Sequence, residues 1–381
     1  MLALYIHWPF CLSKCPYCDF NSYPTPPDDP GFWIDAYKRE LAFYAQKLPK
    51  RIIRSIFFGG GTPSLMSPQT IEALLDHVAA LWPVANDAEI SLEANPSSAD
   101  ASKFQAFRHA GINRLSLGVQ ALHDEALTFL GRRHNAAEAK TAMGLAARIF
   151  PRFSFDMIYA YRGQTRDGWE RDLNEIITLA EDHLSLYQLT IEPRTIFWKR
   201  AEHGETLTLP DDEAFALFER TQEIAVKAGI PAYEISNHAR KGAECRHNMV
   251  YWRYEDYLGI GPGAHSRLGI FEKNVRSIEN IASPALWRES VLRDGSGADL
   301  NDALKESDAM REALLMGLRL TEGIAIEAWD KKFSTPLLSF LPSDRVKRLE
   351  QEGFLVSDEK KSLRATLAGR QRLNALLSYL V

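Results

Sequence analysis

Three of the chain's four cysteines, Cys11, Cys15 and Cys18, follow an apolar run with the spacing C-x3-C-x2-C. Thiols clustered this closely point to metal, because a disulfide framework spreads its cysteines and belongs to secreted chains. Two chemistries fit. Three thiolates can hold a [4Fe–4S] cube and leave its fourth iron without a protein ligand, the open position that binding and reaction require. A structural zinc site would need a fourth ligand, His7 or His247, and zinc sites more often use paired C-x2-C units. The spacing favours the cluster. Cys245 stands alone and reads as a buried thiol.

A second group of residues sits where strands end. Gly59-Gly60-Gly61-Thr62-Pro63 follows the second apolar run, and glycines there let the backbone approach a ligand closely. Glu93 lies near the end of the third run, Gln120 ends the fourth and Asp156 lies in the fifth. Any one of them alone reads as a loop cap or a structural hydrogen-bonding residue. Three in register on successive strands point to one site, and a carboxylate such as Glu93 suits ribose hydroxyls.

The elements that would position these residues alternate. Strands are expected at Ala3–Trp8, Ile52–Phe58, Glu89–Ala94, Arg114–Val119, Phe153–Ile158 and Leu184–Thr190. Helices are expected at Trp33–Leu48, Pro68–Leu81, Ala99–Ala110, Ala136–Ile149 and Gly168–Ala180. Ser67 and Asp167 are the expected N-caps, Gly111 a helix stop, and Pro24–Pro27 a stiff turn. Such alternation means parallel βαβ units, in a doubly wound sheet or in a full or partial barrel. Residues 196–300 read as irregular, with a helix at Asp211–Lys227, a strand near Ala232–Ile235, a glycine-rich stretch at 259–265 and a linker at 294–299. The last 80 residues read as a helix at Ala303–Leu320, a short segment around Trp329, a helix at Pro342–Gln351, a charged hairpin at 353–364 and a helix at Leu367–Leu380. That order suggests a winged-helix-like module. The expected units are therefore 1–195, 196–300 and 301–381.

Composition excludes several classes of function. The chain has 381 residues, 45% hydrophobic and 25% charged, with net charge −5. That argues against disorder and gives no reason to expect nucleic acid. From residue 300 on, 13 Lys and Arg face 12 Asp and Glu, too balanced for a DNA reader. No apolar run reaches the 18 or so residues of a membrane span. The N-terminus lacks a basic region and a cleavage site and reads as a strand rather than a signal peptide. A cytoplasmic monomer or weak homodimer is expected.

The residues around the cysteines carry a resemblance. Tyr5-Ile-His-Trp-Pro-Phe-Cys11 and Cys15-Pro-Tyr-Cys18 resemble the radical SAM superfamily, in the branch that contains oxygen-independent coproporphyrinogen III oxidase and the haem chaperones. The likeness runs over most of the chain. It implies an α/β fold, a partial (β/α)6 radical SAM barrel with a C-terminal helical, winged-helix-like module. It implies a [4Fe–4S] cluster on Cys11, Cys15 and Cys18 and S-adenosylmethionine (SAM) on its open iron. By the same match Tyr5, Tyr17, Gly60, Gly61, Thr62, Glu93, Gln120, Arg132 and Asp156 would contact SAM. One loop departs: relatives often carry Gly-Leu-Pro where this chain has Ala160-Tyr161-Arg162. Phe20 departs from the oxidase, which has a fourth cysteine at that position, and the oxidase's N-terminal extension is missing before the cluster strand. His247-Asn-Met-Val-Tyr-Trp252 matches the H-N-x-x-Y-W pattern of the chaperone branch, so His247, and after it His7 and His265, are candidate haem ligands. The implied function is a haem chaperone that passes its cargo to acceptor haem proteins, with SAM cleavage an open question. The alternatives are a coproporphyrinogen III dehydrogenase and a zinc-stabilised winged-helix regulator.

Overall fold

The first strand shows how the sequence builds the layers. In β1 (Leu2–Trp8) the alternate residues Leu2, Leu4, Ile6 and Trp8 are buried in the main apolar core, which leaves Tyr5 and His7 on the other face. The computed structural model describes residues 1–24, 30–358 and 361–381. Thr25, Pro26 and Pro27 of the expected turn, and residues 359 and 360 of the expected hairpin, lie outside the described residues.

Five more strands repeat the pattern: β2 (Ile53–Gly60), β3 (Val84–Ala94), β4 (Arg114–Gln120), β5 (Arg152–Tyr159) and β6 (His183–Gln188). Each pairs in parallel with the next, so their order in the sheet is their order in sequence. A doubly wound sheet would reverse that order at a switch point. Consecutive winding is that of a (β/α) barrel, here left open, so the fold is a partial (β/α)6 barrel.

The stretch from 196 to 300 is more regular than expected. Its strands β7 (Asn237–Ala239), β8 (Tyr257–Ile260), β9 (His265–Leu268), β10 (Arg276–Asn280) and β11 (Ala298–Ala303) join the same sheet. The order is β11-β10-β9-β8-β1-β2-β3-β4-β5-β6-β7. The expected strand at 232–235 is instead a turn: Tyr233 N donates to Asn237 O, and the strand forms at 237–239, antiparallel to β6. The expected linker at 294–299 ends one helix, at Gly295 (φ +79°), and starts β11.

Several barrel helices start at side-chain caps. Ser67 accepts from Thr70 N at 3.0 Å and Pro68 opens the helix Pro68–Leu81. Asn135 and Glu138 form a capping box at Ala136–Ile149. The expected cap at Asp167 is displaced: Thr165 accepts from Gly168 N at 3.1 Å, and Asp167 lies in the first turn of Arg166–Leu179. Gly111 (φ +112°) follows the helix Ala101–His109 as expected.

The last 80 residues form a second apolar core that includes Leu314, Trp329, Leu337, Leu363 and Leu380. Around it stand the helices Glu306–Gly317, Ile326–Asp330, Leu337–Phe340 and Ser343–Gln351, and β12 (Ile324–Ala325), β13 (Leu355–Asp358) and β14 (Ser362–Ala365) in the order β12-β14-β13. The expected last helix is two, Leu367–Gln371 and Leu373–Leu380, broken at Arg372 (φ −116°, ψ 29°). No helix among the described residues is long and apolar enough to cross a membrane.

Candidate functional site

The barrel strands all end at one rim, and the loop after β1 crosses it. That loop is closed by main-chain bonds: Tyr23 N to Pro9 O at 2.7 Å and Cys11 N to Tyr23 O at 2.9 Å. Cys18 N to Cys15 O at 3.1 Å turns it tightly between two of the thiols. All three cysteines are free, partly exposed, and line one cavity of about 410 Å3. Gly60, Gly61, Thr62, Glu93, Gln120, Arg132, Asp156 and Tyr17 line the same cavity, so most of the expected site residues are brought together.

The walls hold the cysteine loop by direct contact. Thr62 Oγ1 donates to Cys11 Sγ at 3.5 Å, and Thr62 N donates to Phe10 O at 2.9 Å. A Cβ on Gly61 would stand 3.0 Å from Cys11 Sγ and 2.7 Å from Phe10 O, so only glycine lets β2 pass this close to the thiol. Arg132 spans the opposite side. Its Nη1 donates to Cys15 Sγ at 3.4 Å and Tyr17 Oη at 3.3 Å, its Nη2 to Gly118 O at 3.0 Å and to Asn95 Oδ1. Asn95 in turn donates to Thr62 Oγ1 at 3.1 Å. Asn95 was not singled out from the sequence. Its signal was its place, two residues after Glu93 and just before Pro96, where a strand must end. Ser116 and Tyr187 also line the cavity without having been singled out.

Two carboxyls face each other beneath. Among the described residues Glu93 accepts from Gly60 N alone, at 3.1 Å, and burial followed by the charge of Asp156 pushes it up to about 8. Burial raises Asp156 to about 6, against Ser185, Arg114 and Ser116, which favour its charged form. Glu93 thus binds its proton more tightly folded than unfolded. Its neutral form carries no penalty below about 4.5, and stability is lost as pH rises towards 8. Glu93→Gln, which keeps an acceptor for Gly60 N, should therefore raise the thermal midpoint at pH 8.5 and lose that advantage near pH 5. An equal gain at both values in thermal denaturation would contradict this sign.

The residues fit the expected cluster. The donors are three soft thiols, the ligand set that selects iron–sulfur groups. Burial raises the Cys11 and Cys18 thiols, so they would release protons on binding metal. Among the described residues no three His, Cys, Asp or Glu side chains converge on a point for one metal ion. The fourth ligands that zinc would need are committed elsewhere. The His7 ring nitrogens face Tyr5 Oη at 3.0 Å and Asn21 O at 2.9 Å, and those of His247 face Ser55 Oγ at 3.0 Å and Tyr251 Oη at 2.7 Å.

The haem candidates are not brought to this cavity. His247 lies lower in the barrel, 1% exposed and stacked on Phe57 at 5.0 Å, beside an inner chamber of about 220 Å3 that Tyr5 also lines. Burial lowers it to about 3, with Arg54 and Arg114 adding to the shift. Its backbone N donates to buried Glu89, which also holds Arg152 and Cys245, so the motif is anchored from below. His7 is 5% exposed, and His265 is exposed at the start of β9.

Known proteins share these features. Residues 5–176 match the radical SAM superfamily and residues 304–372 the HemN C-terminal domain. Radical S-adenosyl methionine domain-containing protein 1, mitochondrial, of Bos taurus is 38% identical over 98% of this chain and 86% of its own length. Heme chaperone HemW of Escherichia coli is 44% identical over 70% of each chain, and that of Bacillus subtilis 31% identical over 94% of each. The solved coproporphyrinogen III oxidase (HemN) of Escherichia coli, described as a radical SAM enzyme, superposes with a TM-score of 0.83 over 99% of this chain and 89% of its own, at 22% identity. With the thiols on one rim and the carboxyls below them, these matches place the chain in the radical SAM, HemN-like family, within its HemW branch.

Proposed function

We propose that this protein binds haem and hands it to acceptor haem proteins, and that it carries a SAM-binding [4Fe–4S] cluster on Cys11, Cys15 and Cys18. The observation that carries the choice is Phe20. It stands 57% exposed on the cavity wall, at the position where the oxidase has a further cysteine. The cluster ligands are kept while an apolar aromatic face takes the place of a thiol, which suits a flat apolar cargo. Relatives that bear the name heme chaperone agree with this reading.

Bound there, the cluster would supply the electron for reductive cleavage of SAM. The chain's own residues would do the rest. The Gly60–Thr62 backbone would receive the amino group of SAM, and Arg132, already fixed to Tyr17 and Asn95, its carboxylate. Glu93 and Asp156 would accept from its hydroxyls.

Anaerobic haem titration of the cluster-loaded protein tests the proposal, with the Soret band as readout. Saturable binding of one haem per chain is expected. Failure to bind haem removes the chaperone reading. Conversion of coproporphyrinogen to protoporphyrinogen, with SAM and a reductant, would replace it with the dehydrogenase.

A further inference from the structure

The reading as a haem carrier leaves the iron's ligand open, and the geometry points to His265, not the buried His247, as the residue that takes the haem iron. Both nitrogens of His247 are bonded inside the barrel, and so are both of His7. Exposing either would break buried contacts. His265 differs in three ways. Its side chain is 55% exposed. Its Nδ1 lies 3.6 Å from Glu279 Oε1 on the paired strand β10, while Nε2 has no partner among the described residues. At that distance the carboxylate makes no hydrogen bond to the ring, but it sits beside Nδ1 and leaves Nε2 open to metal. Third, its turn is tied to the cavity rim. Asn21, next to Phe20, donates through Nδ2 to Pro262 O at 3.0 Å and to Ala282 O at 2.9 Å, and Tyr23 Oη donates to Ala282 O at 3.3 Å.

The exposed imidazole and the exposed Phe20 ring thus flank one stitched segment. A porphyrin on it would have an aromatic face to pack against, and Lys14, whose Nζ reaches Phe20 O at 2.9 Å, beside it for a propionate. His123 supplies a control. It is also exposed and carboxylate-paired, to Asp172 at 2.6 Å, but its partner belongs to the helix Arg166–Leu179 on the outer layer.

The inference rests on haem binding, and the experiment separates the two. Wild type, His265→Ala, His123→Ala and Phe20→Ser are titrated with ferric haem, following the Soret band and the electron paramagnetic resonance signal of the iron. His265→Ala should lose the wild-type ligation signature and weaken binding by about tenfold or more. Phe20→Ser should weaken binding with the signature kept, and His123→Ala should match the wild type. If the wild type takes up no haem, the chaperone reading falls and this inference with it. If His265→Ala keeps the wild-type spectrum and affinity, only His265 is overturned.

Discussion

Alanine at any one of Cys11, Cys15 and Cys18 should leave a folded protein that retains almost no iron or acid-labile sulfide. The three thiols lie in a surface-crossing loop rather than in the core, and their contacts within the protein are long, 3.4 Å from Arg132 to Cys15 and 3.5 Å from Thr62 to Cys11. Each weak contact contributes little, so the thermal midpoint should barely move. The cluster is different, because a cube on three thiolates has no ligand to spare. SAM affinity should fall with the cluster if, as proposed, its open iron is part of the SAM site. Cys245→Ala is the opposite case. Its thiol is fully buried and donates to Glu89 at 3.4 Å, so this variant should keep full iron and lose stability. Iron and sulfide analysis after anaerobic reconstitution separates the two patterns. Wild-type iron in the Cys15 variant would refute the ligand assignment.

The residues that could be read from sequence are those whose position follows from a strand end. Gly60, Gly61, Thr62, Glu93, Gln120 and Asp156 sit at or near the ends of four consecutive parallel strands, and parallel winding brings such ends to one rim. Two capped helices, Pro68–Leu81 and Ala136–Ile149, were equally legible, and Asp211–Lys227 stands as the pattern predicts with three acidic residues in its first turn. What failed depended on individual side-chain bonds and close contacts, which a hydrophobic pattern does not record. Ala232–Ile235 has strand-forming residues, but Glu234 turns the chain by accepting from Ser236 N at 2.8 Å and Asn237 N at 2.6 Å. The glycines at 295–297 look like a flexible joint. In the fold, a Cβ on Gly297 would strike the Trp287 ring at 2.0 Å, so that glycine serves close packing. The H-N-x-x-Y-W motif shows the same limit. Its pattern reveals neither that His247 is buried nor that Ser55 and Tyr251 occupy its ring.

Glu40→Ala should be among the most damaging substitutions outside the cavity, at about 3–5 kcal/mol, because it removes the acceptor that four buried donors share. Glu40 lies on the helix Pro30–Lys47, fully buried, and no sequence signal marked it. Its carboxyl accepts from Gly261 N at 2.9 Å, Gly297 N at 2.9 Å, Asn280 Nδ2 at 3.1 Å and Trp287 Nε1 at 3.2 Å. One side chain thereby ties a barrel helix to the turn before β9, the end of β10 and the start of β11. Alanine would leave two backbone donors and Trp287 Nε1 without an acceptor in the core, each costing about 1–3 kcal/mol unless water enters, while Asn280 Nδ2 keeps Gly261 O at 2.9 Å. Glu40→Gln keeps one acceptor oxygen but turns a donor towards other donors, so it should fall between alanine and wild type. Burial pushes the Glu40 carboxyl up to about 7, against those four hydrogen bonds, so its stabilising contribution is complete at low pH and declines as pH rises through 7. The deficit of the glutamine variant should therefore narrow between pH 5.5 and pH 8.5. Urea denaturation at both values measures it. A loss within 1 kcal/mol of wild type in the alanine variant would show that the four donors find other partners. The turn that Glu40 holds at Gly261 also leads into His265, so the alanine variant should loosen the segment tied to Asn21 while the cysteine loop, closed by its own main-chain bonds, should keep its iron.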